Sequence, residues 1–116
     1  MLVLRYVIKY LRKTIVEMKG NFMNKYIATH TFKSEELRSQ YFEVAGSMAP
    51  ADIKAMVTGD KAVCHKNWTN GEKSMKAYCH WEAESPEAII DQLGDMNNFF
   101  HTVSEEMNDE VDFTSM

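Results

Sequence analysis

Asn70–Gly71 stands between two alternating runs, Ala62–Trp68 and Ser74–Ala83. An Asn-Gly pair in that setting is the dipeptide of a type I′ turn, whose positive-φ residues match the twist of a hairpin. A hairpin in mid-chain constrains everything around it, because two strands cannot bury a face on their own. On its N-terminal side, Lys25–Phe32 alternates and is rich in β-formers, so it is expected to be a first strand. Ser34 then precedes Glu35 and Glu36, the cap and charge sign of a helix start. Leu37, Tyr41, Val44, Ala45 and Met48 give that helix one apolar stripe. Pro50 stops or redirects it. Residues 51–58 suit either a helical turn or a short strand, and Gly59–Asp60 reads as a turn.

On the other side of the hairpin, Ser85 is expected to cap a helix with Pro86 at its first position, where the missing N–H costs nothing. Ile89, Leu93, Met96 and Phe100 form its stripe. Val103–Phe113 closes the pattern as an acidic strand, suited to a sheet edge or a fraying tail. The order strand, helix, strand, strand, helix, strand defines an α+β domain of ferredoxin-like βαββαβ build. Its two helices cover one face of an antiparallel sheet. The other face is left bare, and a homodimer, the dimeric α/β barrel, would cover it.

Charge divides the chain. Its net charge is −4 over 116 residues, which opposes a nucleic-acid partner. Residues 1–22 carry +4 of that and residues 23–116 carry −8. The domain is therefore assigned to 23–116, with 1–22 a basic amphipathic extension whose apolar residues (Leu4, Val7, Ile8, Leu11, Ile15, Met18) fall at helical spacing. Three readings of the extension stand open. It is a membrane-surface helix, a helix packed on the domain, or upstream sequence that is not native, with Met23 the first residue. No apolar run approaches the roughly 20 residues of a transmembrane helix. The two cysteines, Cys64 and Cys79, are too few for a disulfide scaffold, so free thiols in a cytoplasmic setting are expected.

A two-residue loop would set Thr69 opposite Glu72. Ala62, Cys64, Trp68, Ala77, Cys79 and Trp81 then share a core face, while Val63, His65, Asn67, Lys76, Tyr78, His80 and Glu82 share the open one. In the same register His80 opposes Lys61, well away from His65. Four histidines fall on or beside the strands: His30, His65, His80 and His101. With the first strand beside the third, His30 and His80 are expected to meet on the open face. Tyr78, Glu82 or His101 would complete a site for nickel, zinc or copper.

The stretches KYIATHTF (Lys25–Phe32) and KAYCHWEAESPEAIIDQLG (Lys76–Gly94) resemble a family of small bacterial ferredoxin-like proteins of dimeric α/β-barrel fold. A nickel-binding protein is among its members. In that family a K-x-Y-C-x-x-x-A strand runs into an acid-rich cap and helix, as Lys76–Ala83 and Glu84–Ala88 do here. The resemblance spans roughly Lys25 to Asp112 and implies the fold and the dimer. Ala49–Asn70 departs from the family pattern, so no metal ligand is carried over. Broader dimeric α/β barrels include haem degraders with an Asn on the first strand, a Trp on the third and a His on the second helix; here the first strand has no Asn after Asn24, Trp81 is at core parity, and the second helix has no histidine before His101.

Two functions remain in view, with a purely structural domain as a third. The first is a ligand- or metal-binding module in which His30, His80 and Tyr78 line a dimer cavity and His30, His80 and His101 hold any metal. The second is a cofactor-free monooxygenase or isomerase acting on a small organic substrate, with His30 or His80 as general base and Tyr78 orienting the substrate.

Overall fold

Both serines expected to cap helices do so in the computed structural model, which describes residues 23–116. The three readings of residues 1–22 lie outside the described residues. Ser34 Oγ accepts from the Leu37 amide at 3.1 Å and opens α1, Glu35–Gly46. Ser85 Oγ accepts from the Ala88 amide at 3.1 Å and opens α3, Pro86–Leu93. Between them Pro50 redirects rather than merely stops the chain. It sits at the start of a short helix α2, Pro50–Met56, which decides residues 51–58 in favour of helix. The strands are β1 (Asn24–Phe32), β2 (Ala62–Thr69), β3 (Lys76–Ala83) and β4 (Phe100–Glu106).

All pairings are antiparallel and the sheet order is β2-β3-β1-β4. An α+β chain with this four-stranded antiparallel order is compatible with the ferredoxin-like arrangement. Along β1, Tyr26, Ala28, His30 and Phe32 point inward, and along β3 Ala77, Cys79, Trp81 and Ala83 do the same. Trp81 and Ile89 are the largest side chains wholly removed from water. Phe32 anchors an aromatic group with Tyr41, Phe42 and Phe100, at centroid separations of 5.4, 5.7 and 5.9 Å. Among the described residues, no helix is long and apolar enough to cross a membrane.

The hairpin departs from expectation. Asn70 keeps a negative φ of −110°, and only Gly71 is left-handed, at +59°. A type I′ turn needs positive φ at both residues. Instead Thr69 Oγ1 takes the Gly71 amide at 2.7 Å, and Gly71–Lys73 forms a 3-10 turn. The longer loop moves the register, so Thr69 pairs with Ala77 rather than Glu72. A bulge then absorbs His65, between the pairs Cys64–Trp81 and Lys66–His80.

An extra residue inverts the faces beyond it. Ala62 and Cys64 keep their expected side. Asn67 and Thr69, by contrast, join Cys79 and Ala77 on the helix side, while Lys66 and Trp68 turn to the open side with His80 and Tyr78. Trp68, expected in the core, is thus half exposed on the open face. The α1 stripe also differs. Tyr41 and Phe42 meet the core, no α1 residue is fully buried, and Val44 faces solvent. The last strand starts at Phe100 and ends at Glu106, before the acidic run, and it lies at an edge.

Candidate functional site

The inward faces of β1, β2 and β3 do not meet the helices everywhere. A cavity of about 110 Å³ remains between them. Phe32, Tyr41, Ile53, Val57, Leu93 and Met96 supply most of its apolar wall, and His30, Cys64, Asn67, Cys79 and Trp81 add polar atoms. The floor is deep, since Trp81 and Leu93 are buried, whereas Asn67 and Thr69 at its rim are exposed. The β2 bulge creates this combination. Without the inversion it causes, Asn67 would face away from Cys79.

The polar groups converge on one sulfur. Asn67 Nδ2 donates to Cys79 Sγ at 3.1 Å. The Cys64 thiol and the His30 imidazole line the same cavity beside that sulfur, and both favour its ionised form. His30 is itself 3% exposed, and its Nδ1 lies 2.7 Å from Thr102 Oγ1. When the threonine hydroxyl donates to Nδ1, the other ring nitrogen carries the hydrogen. The nearby Cys64 thiol, helped by His30 and Asn67, outweighs burial and pulls Cys79 down to about 5. That neighbouring sulfur, with burial, holds the Cys64 proton, so Cys64 ionises far less readily than an ordinary thiol. The Cys64 thiol itself donates to the Lys66 carbonyl at 3.5 Å. Burial, and then the negative charge at Cys79, push the Tyr41 phenol up, which keeps it neutral beside the cavity.

One donor in the wall is left over. Trp81 is fully buried, and its Nε1 has no hydrogen-bond partner among the described residues. A buried N–H in that condition costs about 1–3 kcal/mol.

The histidines expected to meet do not. His30 pairs with Ala77 and Thr102 on the helix side of the sheet, while His80 pairs with Ile27 and Lys66 on the open side. The sheet separates them. His101 is exposed on the open face, beside Thr31 at the β4 edge. The bulge does bring His65 to His80, with ring centroids 5.2 Å apart, correcting the wide separation the regular register implied. Glu82 Oε1 lies 3.1 Å from His65 Nε2. Among the described residues, no three His, Cys, Asp or Glu side chains are placed to hold a metal ion. Tyr78 is on the open face, 42% exposed and paired with Trp68. A second, wider cleft of about 400 Å³ lies on that face, where Lys25, Lys66, Trp68 and His80 meet the chain that follows β4.

The inward place of His30 corrects its expected position on the open face, although the parity it shares with Tyr26 and Phe32 carries that signal. Cys64 and Cys79 lie on one core face as expected, whereas the place of Asn67 was not readable, because its turn toward Cys79 depends on a bulge with no signature in residues 62–69. No protein-family model, curated protein or solved structure matches the chain.

Proposed function

We propose that this protein is a small-ligand-binding module. Its site is the cavity between sheet and helices, and it works as a homodimer closed through the open sheet face in a reducing, cytoplasmic setting. The observation that carries this reading is the composition of the cavity. It combines a mainly apolar wall with a few converging polar groups, the pattern of a site that orients a small molecule. Trp81 Nε1 calls for an acceptor, so the ligand class is a compact, mainly apolar molecule with one carbonyl-type oxygen.

The test uses a Trp68→Phe background, so that emission reports Trp81 alone. Butanone titrated into that protein is expected to change Trp81 emission saturably and to raise the melting temperature, more than a hydrocarbon of matched size does. Ala77→Leu, which fills the cavity wall, should abolish both effects. An unsaturable response equal for ketone and hydrocarbon would remove the reading.

A second reading, the cofactor-free isomerase or oxygenase, is favoured by the open-face chain Glu82–His65–His80 beside the cleft. A carboxylate that orients one imidazole next to another can relay a proton to a small substrate. His80→Ala would abolish proton exchange on substrates bound there and leave ketone binding in the inner cavity unchanged.

A further inference from the structure

Three side chains on the inner sheet face form a triangle around the cavity floor. Cys79 and Trp81 are neighbours two residues apart on the same face of β3, about 7 Å at strand rise. Cys64 lies directly across from Trp81 on β2, diagonal to Cys79, and lines the same cavity. One corner holds a sulfur that accepts from Asn67 Nδ2 at 3.1 Å, and another holds a buried N–H without a partner among the described residues. The third holds a thiol that keeps its proton and is only half-buried. The residues that carry a nucleophile, an oxygen-binding donor and a proton source thus line one small, mainly apolar cavity. A ligand bridging them needs an electrophilic carbon at one end and an acceptor oxygen at the other, a few bonds apart.

We infer that Cys79 captures small α,β-unsaturated carbonyl compounds by conjugate addition, with Trp81 Nε1 binding the carbonyl oxygen and Cys64 Sγ–H supplying the proton. This rests on the reading of the cavity as a ligand site. The thiolate electron pair of Cys79 forms a C–S bond to the β-carbon. The C=C π pair moves to the α-carbon, and its charge spreads onto the carbonyl oxygen facing the indole N–H. The Cys64 proton passes to the α-carbon, and Cys64 regains a proton from water at its exposed side. Nothing leaves, and no oxidant or reductant is consumed.

The low proton affinity of Cys79 does not by itself make the reaction fast at neutral pH. A thiolate of lower basicity is a weaker nucleophile, and for a shift of this size the loss roughly cancels the gain in thiolate fraction near pH 7. The advantage lies in cavity binding, and in reactivity that survives acidification. An ordinary thiol loses about tenfold in rate per pH unit below its pKa.

The test treats the full chain with crotonaldehyde, follows the adduct by intact mass and peptide mapping, and runs the butanone titration in parallel. Adduct is expected at Cys79 alone. Its rate should saturate with aldehyde concentration and change less than about twofold between pH 6 and pH 8, where a free thiol changes by well over tenfold. Cys64→Ala should move the pH profile upward, and Trp81→Phe should raise the half-saturating concentration. Cys79→Ser should give no adduct while circular dichroism shows the fold retained. Modification spread over Cys64 and surface nucleophiles, or a rate equal to that of the urea-unfolded chain, overturns the inference. If butanone still binds in that case, only covalent capture fails; if butanone does not bind either, the ligand site fails with it.

Discussion

At the scale of single residues, the thiol pair couples folding to pH in two opposite ways. Cys79 gives up its proton more easily folded than unfolded, so between about pH 5 and the ordinary thiol range the unfolded chain holds the extra proton. Stability therefore rises with pH across that window and is lost as pH falls toward 5. Cys64 behaves in the reverse sense. Above the ordinary thiol range the unfolded chain releases a proton that the folded chain keeps, and stability falls again. Urea unfolding measured from pH 5 to about pH 10 is expected to give a maximum near the ordinary thiol pKa, and Cys79→Ala should flatten the rising limb. His30 supplies a second residue-scale check. Thr102→Val removes the hydroxyl 2.7 Å from its Nδ1 and leaves a buried ring nitrogen unpaired. It should cost about 1–3 kcal/mol in urea unfolding and raise the pH midpoint of Cys79 alkylation. The sequence reading set His30 on the open face with His80. Its parity along β1 marks it as inward, yet Thr102, which its Nδ1 meets, comes from another strand whose register no local pattern states.

At the scale of elements, the chain announces its helix starts and its strands, and it conceals where those strands pair. Ser34, Ser85 and Pro86 act where short-range chemistry places them, because a cap needs only the next three residues. The type I′ reading of Asn70–Gly71 fails because Thr69 Oγ1 competes for the Gly71 amide and the loop lengthens. That shift, with the bulge at His65, decides which of Asn67 and Trp68 faces the cavity. Register errors of this kind are invisible to alternation alone, since both faces of β2 carry mixed residues. The α3 element offers a direct stability test. Ile89 is fully buried in the helix face over the sheet. Ile89→Ala is expected to destabilise by about 2–5 kcal/mol, and Ser85→Ala by about 1 kcal/mol, both read as a lower urea midpoint at unchanged slope.

At the scale of the whole molecule, the sheet has one face covered by helices and one covered only in part, by the chain that follows β4, and this second face is apolar in a particular place. Trp68 pairs with Tyr78, Tyr78 with Thr29, and Thr29 with Val103. This row crosses all four strands, at about 4.8 Å per step. Trp68, Tyr78 and Val103 are 50%, 42% and 65% exposed. The neighbouring row, Lys66, His80, Ile27 and Glu105, is mostly polar and mixed in charge. An apolar strip bordered by charged and polar side chains is what a self-complementary interface needs, because a two-fold axis through it sets like residues near like. That strip is what supports the homodimer in the proposed function. Tyr78 sits on β3, between β1 and β2, so its replacement acts near the middle of the strip and far from the helices. Tyr78→Lys would place a charge in the strip on both copies. Sedimentation equilibrium is expected to show dimer association weakened by at least ~30-fold in affinity, the loss typical of a central aromatic anchor. The circular dichroism spectrum and the butanone response of the inner cavity should be unchanged, since the cavity lies on the opposite face. Equal dimer affinity in the variant would move the interface elsewhere, and a monomeric wild-type chain at millimolar concentration would remove the dimer altogether.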